Sequence, residues 1–171
     1  MDRIKVMLVD DHPVVREGLM AMIETQPDME VVGEAADGLE AVMLAKKRCP
    51  DVVLMDLQMP RMNGVEAIKR LREDVPEAQV IVLTTYDSDE HIFGGIEAGA
   101  KGYLLKGASR NDLFKAIRAA SRGESLLEPV VASRLVERFT RLSRKGPADD
   151  DLTERELEVL RLMARGPATR R

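Results

Sequence analysis

The sequence predicts a doubly wound α/β domain on a five-stranded parallel sheet, followed by a C-terminal helical extension. Three observations carry that expectation. Short apolar runs alternate regularly with longer amphipathic ones. The runs are rich in β-branched residues and nearly continuous, as strands buried on both faces must be. The 171 residues suffice for one well-buried domain and an appendage, but not for two full-sized domains.

The strands are expected at "IKVMLV" (4–9), "EVVGEA" (30–35), "DVVLM" (51–55), "QVIVLT" (79–84) and "GYLLK" (102–106). Amphipathic segments near 13–25, 37–48, 64–74, 88–98 and 109–122 supply the helices between and after them. Crossovers of that length imply right-handed βαβ units, a parallel sheet covered on both faces, and a domain spanning 1–124. Beyond "RGES" the character changes. "EPVVASRLVERFTRLSRK" places Val131, Leu135, Phe139 and Leu142 on one helical stripe, with Pro129 near its start. This helix and the acidic, turn-rich "GPADDD" make a linker over 125–151. In the final segment, 152–171, Thr153 and Glu156 form a capping box, Leu152 staples onto Leu157, and Gly166-Pro167 stop the helix.

Charged residues make up 33% and apolar residues 44%, as in ordinary soluble domains. The net charge of −4 gives no bulk attraction to nucleic acid or an anionic membrane. Arg134, Arg138, Arg141 and Lys145 recur at helical spacing, and a solvated basic face is favoured over DNA contact, with Asp149 to Asp151 nearby. The single Cys49 cannot form an internal disulfide and reads as a packed or half-exposed thiol in a reducing compartment. No signal peptide or membrane span can be drawn, so the expected location is cytoplasmic, with no membrane partner.

Open parallel sheets bind ligands beyond the carboxyl ends of their strands. The residues at those exits are Asp10-Asp11 after the first strand, Asp56 after the third, Thr84-Thr85 at the fourth and Lys106 at the fifth. If the strands run 2-1-3-4-5, the acids of the first and third are neighbours. Crowded carboxylates relieve their repulsion with a hard divalent cation, here Mg²⁺ in preference to Ca²⁺, because few protein ligands are offered. An aspartate between a metal and a lysine can attack phosphorus and form an aspartyl phosphate. Asp10 and Asp11 could instead cap the helix starting near Pro13, and His12 reads as a solvent-edge helix starter.

Taken in order, "LVDDH", "VVLMDLQMPRMNG", "VIVLTTYD" and "AGAKGYLLKG" resemble the receiver-domain motifs of two-component response regulators, over residues 4 to about 122. The resemblance implies a flavodoxin-like fold with strand order 2-1-3-4-5. It implies phosphorylation of Asp56 by a sensor histidine kinase, and Mg²⁺ held by Asp10 or Asp11, Asp56 and the Gln58 carbonyl. Thr84 and Lys106 would contact the phosphoryl group, Thr84 and Tyr103 would form the switch pair, and Gln58 and Tyr86 would tune phosphate lifetime. Gly107 stands where many members carry proline. "LTERELEVLRLMARG" is similar to the first helix of the LuxR-type helix-turn-helix output module. The full-length relative would then bind promoter DNA, whereas one such helix is not expected to read an operator. The family also implies homodimerisation on phosphorylation, and no enzyme activity beyond self-phosphorylation and slow self-dephosphorylation.

Two other function classes stay open on the sequence. A metal-dependent phosphohydrolase could use Asp56 as nucleophile, although Gln58 stands where the haloacid-dehalogenase kind needs a second acid. A non-phosphorylated interaction domain would have no need of Asp56, Thr84 and Lys106. In the fourth helix, Gly94-Gly95 either weaken the helix by about 1 kcal/mol each or make room for a close neighbour.

Overall fold

Alternating side-chain direction along strands buried on both faces divides the core into two layers. The computed structural model describes residues 2–85, 89–144, 158, 159, 161 and 162. In chain order the elements are β1 (Ile4–Val9), α1 (Pro13–Glu24), β2 (Met29–Ala35), α2 (Gly38–Arg48), β3 (Val52–Met55) and α3 (Gly64–Asp74). They continue with β4 (Gln79–Thr84), α4 (Asp89–Ala98), β5 (Gly102–Leu105), α5 (Arg110–Ser121), β6 (Leu126–Leu127) and α6 (Pro129–Arg144). Val6, Leu8, Val52, Leu54, Ile81, Leu83 and Leu104 pack with α1 and α5 on one face. Met7, Val9, Val53, Met55, Val80, Val82 and Tyr103 pack with α2, α3 and α4 on the other. No helix among the described residues is long and apolar enough to cross a membrane.

The sheet order is β2-β1-β3-β4-β5-β6, and every pair is parallel. The expected order 2-1-3-4-5 is present, but the sheet has six strands, not five. The extra strand is two residues long, with Leu126 opposite Gly102 and Leu127 opposite Tyr103. Two residues are too short to show a period of two, which is why the sequence pattern did not reveal it.

The starts of α1, α3 and α5 each have a local reason. Pro13 follows His12, which caps α1 without a side-chain bond, so neither Asp10 nor Asp11 serves as that cap. Asn63 and Ser109 cap α3 and α5 by accepting from Glu66 N–H at 3.0 Å and Asp112 N–H at 3.1 Å. Gly64 begins α3 hard against the site strand: a Cβ there would lie 2.4 Å from the Asp56 carbonyl oxygen. The sharp turn after β3 therefore needs a residue with no side chain.

One expectation changes at the C-terminal side, the fully solvated basic face of α6. Val131 and Leu135 of α6 are buried, and with Phe139 they join the layer that contains α4. Arg138 is half-buried and not fully solvated: its guanidinium lies 4.0 Å from the centroid of the Phe93 ring. Arg134 is half-buried and Arg141 is exposed. Val159 is buried in the same apolar layer, while the capping residues Thr153 and Glu156, with Leu152, Leu157, Lys145, Gly166 and Pro167, lie outside the described residues. Cys49 is exposed in a left-handed conformation at the end of α2, not packed.

Asp37 fastens α2 to the loop before α3. Its carboxylate caps the helix by accepting from Glu40 N–H at 2.9 Å, and Arg61 Nε donates to it at 2.8 Å. The Glu40 N–H bond, with Arg61 and against burial, holds the Asp37 carboxyl below its usual value. We expect Asp37→Ala to lower the unfolding free energy by about 1–2 kcal/mol in urea titrations at pH 7. A depressed folded-state pKa contributes stability above the unfolded value of about 3.9, so the charge-dependent part of this gap should shrink as pH falls through the folded value. A gap that widens on acidification would contradict the assignment.

Candidate functional site

The parallel registers line up the ends of four adjacent strands. Val9 lies opposite Met55 and Thr84 opposite Leu105. The residues that follow are therefore held side by side: Asp56 N–H donates to the Val9 carbonyl at 3.0 Å, and Lys106 N–H to that of Thr84 at 2.9 Å. Asp10 and Asp56 are 3% and 5% exposed, which rules out leaving their charges unpaired.

Lys106 provides the counter-charge. Its Nζ lies 2.7 Å from Asp10 Oδ2 and 3.2 Å from Asp56 Oδ2. Asp10 Oδ1 also accepts from His12 N–H and contacts His12 Nδ1, both at 2.9 Å. Burial alone would push the Asp10 carboxyl up, but the bonds from Lys106 and His12 outweigh it and hold the group below its usual range. Burial likewise works against the Lys106 ammonium, and hydrogen bonding to Asp10 with the charges of Asp56 and Asp10 raises its pKa instead. Asp10 and Lys106 both stay charged at neutral pH.

Asp11 completes the acidic rim differently. Its Oδ1 atom is buried and, among the described residues, accepts no hydrogen bond. His12 Nδ1 is 3.0 Å away but lacks hydrogen-bonding geometry toward it. An orphaned carboxylate oxygen facing two further acids is the arrangement a hard cation satisfies. Donor atoms of Asp10, Asp11, His12 and Asp56 all lie within 4.8 Å of one another. Three carboxylates against one ammonium leave the site anionic, and their oxygen donors suit Mg²⁺. The donor set therefore fits the expected ion.

The remaining expected residues occupy three kinds of place. Thr84 at the end of β4 and Tyr103 in β5 are both fully buried. Gln58 is exposed, with its backbone N–H 3.4 Å from Asp56 Oδ1. Tyr86 lies outside the described residues. A Cβ on Gly95 would stand 3.2 Å from Val82 Cγ2 and 3.5 Å from Tyr103 Cε2, so this glycine makes room for a close neighbour. The sequence reading missed His91 of α4, whose Nε2 is 2.9 Å from Gln58 Nε2. A lone histidine on an amphipathic helix carries no spacing signal that would have found it.

Comparison with known proteins agrees with this geometry. A family model for the response regulator receiver domain matches residues 6–118. The chain is 47% identical over 163 residues to the transcriptional regulatory protein LiaR of Bacillus subtilis, covering 95% of this chain and 77% of that protein. It is 44% identical over 163 residues to the response regulator protein VraR of Staphylococcus aureus, with the same shares of 95% and 77%. Among solved structures, a two-component response regulator of the LuxR family from an Aurantimonas species superposes with a TM-score of 0.76 and 37% identity, covering 81% of this chain and 99% of that one.

Replacing Lys106 by Met should leave the Asp10 and Asp56 carboxylates without their ammonium and lower the unfolding free energy by about 3 kcal/mol. Millimolar MgCl2 should then raise the Tm of Lys106→Met by more than that of the unsubstituted protein, because the ion offsets the same charges. Equal gains in the two proteins, read by thermal denaturation, would contradict the fit of a cation to this rim.

Proposed function

The chain belongs to the receiver-domain family of two-component response regulators, of the LuxR type that controls transcription, and from that premise we propose that Asp56 is its phosphoryl acceptor. The observation that carries the reading is the Lys106 ammonium held between Asp10 and the nearly buried Asp56 at the strand exits. A magnesium ion held by Asp10, Asp11 and Asp56, with the Gln58 carbonyl, would add positive charge against the phosphoryl oxygens. An Asp56 carboxylate oxygen attacks phosphorus on a kinase phosphohistidine, and the phosphorus–nitrogen bond breaks. The imidazole leaves with the bonding pair and takes a proton from solvent. Lys106 faces the charge developing on the transferred group, as its position against Asp56 supports.

Thr84 stands at the neighbouring exit, where its hydroxyl can donate to a phosphoryl oxygen, and Tyr103 answers from the adjoining strand. A phosphoryl group then shifts the population between two arrangements of this pair and of α4, which packs on Tyr103 through Gly95. Gln58 and Tyr86 set the lifetime of the acyl phosphate. The protein's own chemistry is self-phosphorylation from a donor and slow self-dephosphorylation.

The organisation that goes with this reading is a receiver over 1–124, a linker over 125–151 and the first helix of a helix-turn-helix module over 152–171. The partners are a sensor histidine kinase, a second copy of the chain on phosphorylation and, through a complete output module, promoter DNA. The lone Cys49 and the kinase's phosphohistidine both suit a cytoplasmic setting.

Acetyl phosphate with MgCl2 should add the mass of one phosphoryl group to the protein and none to Asp56→Asn. The modified form should elute earlier on size exclusion. Equal mass gain in the variant would move the acceptor elsewhere, and no gain in the unsubstituted protein would overturn the reading.

A further inference from the structure

Asp56 is hemmed in on two sides by groups already described. Asp10 and Asp11 follow the neighbouring β1, and Lys106 reaches in from beyond β5 to Asp56 Oδ2. The other oxygen, Oδ1, faces the backbone N–H of Gln58, in the loop that leads to α3. That side of the rim lies between the loop and the start of α4. Gln58 itself reaches that helix: its Nε2 lies 2.9 Å from His91 Nε2.

The direction of this bond follows from the chemistry of its ends. An amide nitrogen carries hydrogens and no acceptor lone pair, so it donates, and the imidazole nitrogen accepts. Without an anchor, the exposed Gln58 side chain would sample many rotamers, and fixing it costs entropy that one bond must offset. The anchor itself is firm, because the next residues of α4, Ile92 and Phe93, are 0% and 7% exposed. His91 therefore stands on a packed helix and reaches out to a side chain on a surface loop.

We propose that His91 is a positioning residue for phosphoryl chemistry at Asp56: it holds the side chain of Gln58, whose backbone N–H faces Asp56 Oδ1, in one place beside the site, slowing the approach of both the phosphoryl donor and water. The proposal rests on the reading of Asp56 as acceptor. It adds that the rates of loading and loss are set together by one bridge whose far end is on α4. Since α4 packs on Tyr103 through Gly95, the bridge also joins the mouth of the site to the element that changes with the switch pair. Truncating Gln58 removes only its side chain and leaves its backbone carbonyl for the metal.

The full chain would be loaded with acetyl phosphate and MgCl2, then freed of donor, with gain and loss followed by intact mass. His91→Ala and Gln58→Ala should each speed both phases by about three- to tenfold, the scale of one lost hydrogen bond. The double variant should be no faster than either single one, and His91→Gln, whose amide oxygen can accept from Gln58, should return toward the unsubstituted rates. A purely structural role for His91 would lower the Tm without this non-additivity or rescue. Unchanged or slower rates in His91→Ala, or effects that multiply in the double variant, would overturn the proposal. Failure of the unsubstituted protein to gain mass would count against Asp56 as acceptor, a different outcome from normal loading with unaltered His91→Ala rates.

Discussion

The contact of Lys106 with Asp10 and Asp56 is the constraint on which the site depends. Two carboxylates at 3% and 5% exposure would repel each other strongly if no cation stood between them. The lysine can stand there only because β5 runs parallel to β4, and β4 to β3, so that strands distant in sequence end on one rim. A parallel sheet in turn requires crossover helices on both faces, which is why the strands read as unbroken apolar runs. Site chemistry and sheet topology are therefore one problem with one solution.

That link explains how much was legible in the sequence. The bounds of β1, β4 and α3 follow directly from the apolar pattern, and those of the other strands and helices expected within residues 1–124 differ only at their ends. The acids and the lysine were visible because a charged residue at the end of a buried strand conflicts with desolvation and demands a partner. Contacts between surfaces are less legible. The Arg138 guanidinium over the Phe93 ring joins two helices through side chains that also suit a solvated face. The bond between Gln58 and His91 has no spacing rule at all, and the two residues of β6 are too few to show a pattern.

The packing of α6 against α4 gives that helix a neighbour beyond α3 and β5. Leu135 and Val131 are buried in the same apolar layer as Ile92, Phe93 and Ile96, and Val159 joins them. On the other side of the helix, Gly95 sits close to Tyr103. A change in the position of α4 is then felt at the Tyr103 ring, at the linker helix and at His91 together. Packed interfaces shift between discrete arrangements and do not deform continuously, which suits a two-state signalling element.

A crystal structure of the chain with MgCl2 and beryllofluoride, an analogue of the phosphoryl group, tests the central claim most directly. The account predicts the analogue joined to an Asp56 carboxylate oxygen, with the Lys106 ammonium and the Thr84 hydroxyl on its fluorines and the metal among Asp10, Asp11 and Asp56. An unmodified Asp56 with Lys106 still paired to it, or a metal bound away from these three acids, would contradict it.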